Sequence, residues 1–114
     1  MKVTSLDRVE AFVTKDGSTI RELHHTAAQS LAEATVEPGD ATARHYHRES
    51  EEIYFVVEGS GELEIDGRRR RVRPGDAALI PPGAWHTLEN DRSSELRILC
   101  CCGPPYSHAD TFFS

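Results

Sequence analysis

Apolar and polar residues alternate with a period of two along most of this chain, and no segment sustains the 3.6-residue apolar period of a helix. The densest stretch is 52–58 (E-I-Y-F-V-V-E), rich in β-branched and aromatic residues, which reads as a buried strand. Alternation puts Glu52, Tyr54 and Val56 on one face and Ile53, Phe55 and Val57 on the other. Strands are also predicted over 30–36, 42–47, 62–65, 68–73, 77–80, 85–89 and 95–102, with 19–25 as a candidate edge strand. Gly- and Pro-rich turns separate them: Pro38-Gly39, Gly59-Ser60-Gly61, Asp66-Gly67, Pro74-Gly75-Asp76, Pro81-Pro82-Gly83 and Gly103-Pro104-Pro105. Eight or so short strands at regular spacing indicate an all-β sandwich or barrel. The length of 114 residues predicts one domain, 1–114, in which 1–29 is an N-terminal strand region and 103–114 a tail packing on the barrel through Phe112 and Phe113.

Charge narrows the class of partner. The formal net charge of −6 argues against nucleic acid, and no apolar run approaches membrane-spanning length. Residues 1–12 carry Lys2, Asp7, Arg8 and Glu10 and lack the apolar core of a signal peptide, so a cytoplasmic location is expected. Cys100, Cys101 and Cys102 are consecutive and odd in number, which argues against a disulfide framework and suits a reducing compartment. The run Arg68 to Arg71 follows a hairpin signal and reads as a solvated edge strand that discourages edge-to-edge pairing.

The candidate chemistry lies in two stretches. His45 and His47 share a strand face, Tyr46 points the other way, and a carboxylate follows a short polar turn. A third imidazole, His86, comes after the Pro81-Pro82-Gly83 turn. One strand histidine alone is more often a packed or surface residue. Two on one face, joined by a carboxylate and a later histidine, form a ligand set for a divalent transition metal, and three imidazoles with one carboxylate suit Fe, Mn, Ni, Co, Cu or Zn. An octahedral ion held by four protein groups keeps open positions, whereas a tetrahedral zinc would be closed by the same four. Tyr54 is the candidate catalytic residue, with a packed core role as its alternative. His24, His25 and His108 are further candidates for an acid or base. Asn90 reads as a turn former, and Trp85 should face away from the metal. Cys100 and Cys102 share a face opposite to Cys101.

These stretches resemble the two conserved motifs of the cupin superfamily. The first is Gly39, His45, His47, Glu52 and Gly59; the second is Gly75, Pro81, Gly83, His86 and Asn90, with the motif spacing kept throughout. The motif also admits Glu51 as the ligand; six residues between Glu52 and Gly59, and the face shared with Tyr54, favour Glu52. The resemblance implies a small jelly-roll β-barrel (a double-stranded β-helix), usually dimeric, binding one metal per chain through His45, His47, Glu52 and His86. It implies no single reaction, since the superfamily holds dioxygenases, isomerases, lyases, decarboxylases and binding proteins. The commonest expectation that the resemblance gives is a metal-dependent enzyme of the oxygenase type acting on a small organic molecule. The alternatives are a non-catalytic binding or sensing barrel and a sugar-type isomerase or epimerase. A second acid or base facing the metal would mark an enzyme. The pocket lining is expected from Ala43, Tyr54, Val56 and Leu88, and a homodimer from Ile53, Phe55 and Val57 with Tyr46 on the neighbouring strand.

Overall fold

Eleven strands form two facing antiparallel sheets in the computed structural model, which describes residues 1–114. They are β1 (Phe12–Val13), β2 (Thr19–His25), β3 (Ser30–Val36), β4 (His45–His47), β5 (Glu51–Glu58), β6 (Gly61–Ile65), β7 (Arg68–Val72), β8 (Ala77–Ile80), β9 (His86–Glu89), β10 (Leu96–Gly103) and β11 (Thr111–Phe113). One sheet has the order β1-β2-β3-β10-β5-β8 and the other β11-β4-β9-β6-β7. From β4 onward the chain passes back and forth between the sheets, the winding of a jelly roll. No helix is long and apolar enough to cross a membrane.

Period-two alternation explains why the sheets face each other. In β5 every second residue from Glu52 to Val56 is buried while Ile53, Phe55 and Val57 stay outside. Leu96, Ile98, Ile80, Leu88, Val36 and Val56 fill one end of the interior. Burial of such a side chain contributes about 1.5–3 kcal/mol. The motif histidines occupy the same interior near the β4–β9 pairing, where His45 lies opposite His86.

Local chemistry fixes the closest approaches. Gly59 takes φ +84°, and a Cβ there would sit 2.4 Å from the Glu95 carbonyl oxygen. Asn90 is fully buried; its side-chain amide donates to the Val36 and Ser94 carbonyls at 2.9 and 2.8 Å, and its Oδ1 accepts from the Arg92 amide. It builds the turn before β10. On the edge strand β7, Arg69 and Arg71 pair across the outer face with Glu64, Glu89, Glu62 and Asp91.

Three expectations are corrected. The strand predicted over 42–47 is only His45–His47, because Thr42 is taken up by Leu88: its amide and its Oγ1 bind the Leu88 carbonyl and amide, both at 2.9 Å. Ala43 then donates its amide to the Asp16 carbonyl at 2.7 Å and is exposed, so it is not part of the wall beside the histidines. Tyr46 belongs to the sheet opposite Ile53, Phe55 and Val57, where it stacks on Phe112 (centroids 5.1 Å apart, planes at 19°) and meets Trp85 edge-on.

Candidate metal centre

Alternation and turn geometry bring His45, His47, His86 and Glu52 together. β4 aims both its histidines inward, and the Gly83 amide donates to the His47 carbonyl at 2.7 Å, which ties the turn before β9 to β4. Glu52, from the facing sheet, is buried where Glu51 is exposed. The ligand atoms of the three imidazoles lie within 4.8 Å of one another. Glu52 Oε1 is 3.4 Å from His47 Nε2 and 3.5 Å from His86 Nε2.

The opposite ring nitrogens settle which face of each imidazole is available. Nδ1 of His45 lies 2.6 Å from the Ala43 carbonyl oxygen, Nδ1 of His86 lies 3.0 Å from that of Ala84, and Nδ1 of His47 lies 3.3 Å from that of Asp110. A carbonyl only accepts, so each Nδ1 carries the proton and each Nε2 presents a lone pair inward. Glu52 Oε1 is also an acceptor, and both Glu52 Oε1 and His86 Nε2 are buried without a hydrogen-bond partner. Orphaned buried acceptors cost about 1–3 kcal/mol each. A cation between them removes that cost, and this donor set therefore fits a divalent metal ion. Such an ion would supply Lewis-acid activation of a bound oxygen donor.

Electrostatics follow the same geometry. Burial opposes the Glu52 charge, but the close approach of the His47 and His86 rings outweighs it and holds the carboxyl at about 2. Burial likewise opposes a charged His47, yet the adjacent Glu52 carboxylate, with the Asp110 carbonyl, raises its pKa above the usual value. Burial and His86 lower that of His45. The other Glu52 oxygen, Oε2, accepts from the Cys102 thiol at 3.3 Å. Burial and the Glu52 charge push the Cys102 thiol up, so it stays a protonated donor rather than a nucleophile.

A cavity opens beside this cluster, with ≈ 40 Å³ of room for water centres, against roughly 10–15 Å³ for one water. Tyr54 lines it, its ring edge-on to His86 at 5.9 Å. Burial, then the Glu52 charge, pushes the Tyr54 phenol well above its usual value, so it acts as a donor and not as a phenolate. Val56 and Leu88 pack in the core rather than on the cavity wall, which is formed instead by Ile20, Ala34, Val36 and Ile98. His24 is exposed, His25 pairs with Glu22 at 3.1 Å, and His108 bonds the Tyr106 hydroxyl at 3.1 Å; none of the three joins the cluster. Trp85 points outward under the Arg44 guanidinium.

Asp16 and Tyr106 both line the cavity and were not visible as site residues in the sequence. Asp16 Oδ2 lies 3.8 Å from His45 Nε2. Tyr106, from the C-terminal tail, stands edge-on to His47 at 5.9 Å. Asp16 sits in a Lys-Asp-Gly-Ser turn signal that fully accounts for its residue type, and Tyr106 belongs to no spaced pattern.

Comparison with known proteins gives a consistent placement. A family model described as "Cupin domain" matches residues 32–102, more than half of the chain. The uncharacterized protein MJ1618 of Methanocaldococcus jannaschii is 47% identical over 95% of this chain and 90% of its own length. An oxalate-binding protein of Thermotoga maritima is 28% identical over 69% of this chain, which spans 65% of that protein. Among solved structures, the polyketide cyclase RemF of Streptomyces resistomycificus superposes with a TM-score of 0.85 at 26% identity, covering 99% of this chain and 84% of its own.

Proposed function

This chain belongs to the cupin domain family, and from that premise we propose that it is a metal-dependent enzyme acting on a small oxygen-donor organic molecule, of the oxygenase type. One divalent transition metal per chain is held by His45, His47, His86 and Glu52. The single observation that carries this reading is the pair Glu52 Oε1 and His86 Nε2, 3.5 Å apart and both buried without a hydrogen-bond partner. Four protein groups leave part of an octahedral shell free beside the cavity. The apolar part of the wall, Ile20, Ala34, Val36 and Ile98, limits bulk water there and strengthens electrostatic pull on a bound oxygen. Tyr54 stays protonated and orients that molecule by donating a hydrogen bond. A second carboxylate, Asp16, faces the site, which supports turnover over passive binding. Nitric oxide added to anaerobic, Fe(II)-loaded protein tests the free position. An iron–nitrosyl signal is expected; loaded protein without one has a closed structural site, and the oxygenase reading then fails.

Acid should release the metal. Coordination needs the Nε2 lone pairs, and a proton is the competing cation. Because the pKa of His47 is raised from 6.5, protons compete for it earlier than for an ordinary imidazole. Metal occupancy after dialysis should therefore fall as pH drops through about 6. Occupancy unchanged at about pH 4 would contradict histidine ligation.

A homodimer is part of the same reading. Ile53, Phe55, Val57 and Leu79 form an apolar patch on the outer face of the larger sheet, each 42–55% exposed, with Ile53 directly opposite Leu79. A twofold contact between copies covers such a patch most simply. Light scattering should give about twice the chain mass of 12.7 kDa. A monomer mass at micromolar concentration counts against it. The three cysteines are unpaired, in keeping with a cytoplasmic setting.

A further inference from the structure

Asp16 is built into its place. Its Oδ1 accepts from the Thr14 hydroxyl, from the Ser18 amide at 2.9 Å and from the Ser18 hydroxyl at 2.7 Å, and its carbonyl accepts the Ala43 amide. Its Oδ2 has no hydrogen-bond partner, lies beside His45 Nε2 at 3.8 Å, and lines the cavity that also holds Glu52, whose Oε1 is unpartnered. The turn uses one carboxylate oxygen and leaves the other for a ligand.

The charge of the wall is one-sided. Three carboxylates line the cavity, Asp16, Glu22 and Glu52, and no lysine or arginine does. Glu22 is also paired with His25, its Oε2 3.1 Å from the ring Nδ1. One divalent cation does not balance three carboxylates, and nothing else in the wall compensates the charge of an anionic ligand. An acceptor-only carboxylate at 3.8 Å from a metal-ligand atom also demands a donor from whatever binds there. The dicarboxylate suggested by the name of the Thermotoga maritima relative brings two more negative charges and no donor.

We propose that the cavity selects a small neutral molecule with a hydroxyl on the atom adjacent to the one that bears its metal-binding oxygen, as in a hydroxycarbonyl or vicinal diol, and that Asp16 Oδ2 accepts that hydroxyl's hydrogen bond. This rests on the metal reading above and adds to it a ligand class and the residue that chooses it. The dimensions agree, since the cavity takes only a few heavy atoms beside the ion.

Cobalt(II)-loaded protein at pH 7 provides the test, with ligand binding read from its visible absorption. Acetohydroxamic acid and oxalate are of similar size and each offers two oxygens; the first is neutral with a hydroxyl donor, the second a dianion with none. Wild-type protein should bind acetohydroxamic acid at least about tenfold more tightly than oxalate. Asp16→Asn should shrink that preference by about tenfold, chiefly by admitting oxalate. Loaded wild-type protein that binds oxalate as well or better overturns this proposal while leaving the metal reading intact. So does an Asp16→Asn protein with unchanged preference. Failure of the wild-type protein to take up cobalt removes the metal reading itself, and the ligand assignment with it.

Discussion

His86→Ala should empty the metal site without unfolding the protein. His86 is fully buried, its Nδ1 is spent on the Ala84 carbonyl, and its Nε2 has no partner but the space shared with Glu52 Oε1 and the other imidazoles. Even outer partners of metal ligands are worth about 10–100-fold in affinity, so loss of a direct ligand should weaken binding by at least about 100-fold. The metal-free fold should suffer less. Alanine deletes an orphaned acceptor along with the ring, and that relief partly offsets the lost Ala84 hydrogen bond, itself worth about 0.5–1.5 kcal/mol. Elemental analysis should show one ion per wild-type chain and almost none in the variant, while thermal melts of the two metal-free proteins stay close. Full retention of metal by His86→Ala would move the site elsewhere.

Gly59→Ala should be the most damaging single methyl in the chain, with a loss of about 3 kcal/mol or more. Two costs combine. The left-handed conformation at φ +84° costs a non-glycine residue about 1–2 kcal/mol. The new Cβ would also meet backbone, the Glu95 carbonyl oxygen at 2.4 Å and Leu96 Cα at 2.9 Å, and backbone in the β5–β10 ladder cannot swing aside as a side chain can. Gly67→Ala isolates the first cost: φ is +83° and nothing lies within 4 Å of its Cβ. Urea denaturation should show Gly67→Ala losing only the conformational share. Equal losses for the two variants would mean that the close approach at Gly59 carries no energy.

The fold was legible because its signal is repeated. Each of β2, β3, β5, β6, β8 and β10 carries enough alternating residues to announce itself, and the glycine and proline turns fix where it stops. β1 and β11 escaped because two or three residues cannot display a period. β4 was read too long because Thr42 and Ala43 look like strand residues, yet their amides are claimed by Leu88 and Asp16 from elsewhere in the chain. The same distinction governs the site. His45, His47, Glu52 and His86 stand in spaced patterns within two stretches, and the structure brings those four side chains together. Asp16, Cys102 and Tyr106 reach the cavity from segments far away in sequence, and no spacing rule connects them to the histidines. Alternation did put Cys100 and Cys102 on one face, but not that Cys102 would hold a carboxylate oxygen.

The tail after β10 has a consequence for when the site comes into being. β11 pairs with β4, Asp110 supplies the carbonyl for His47 Nδ1, and the Asp110 carboxylate accepts the amides of Arg48, Glu49 and Ser50, the turn that sets His47 against Glu52. During synthesis all four of those histidine and glutamate side chains leave the ribosome well before residue 110 does. The nascent chain thus exposes its imidazoles before β11 can pair with β4 and complete their surroundings. On the metal-binding reading proposed above, ion selection follows translation and is governed by the metals present when folding finishes.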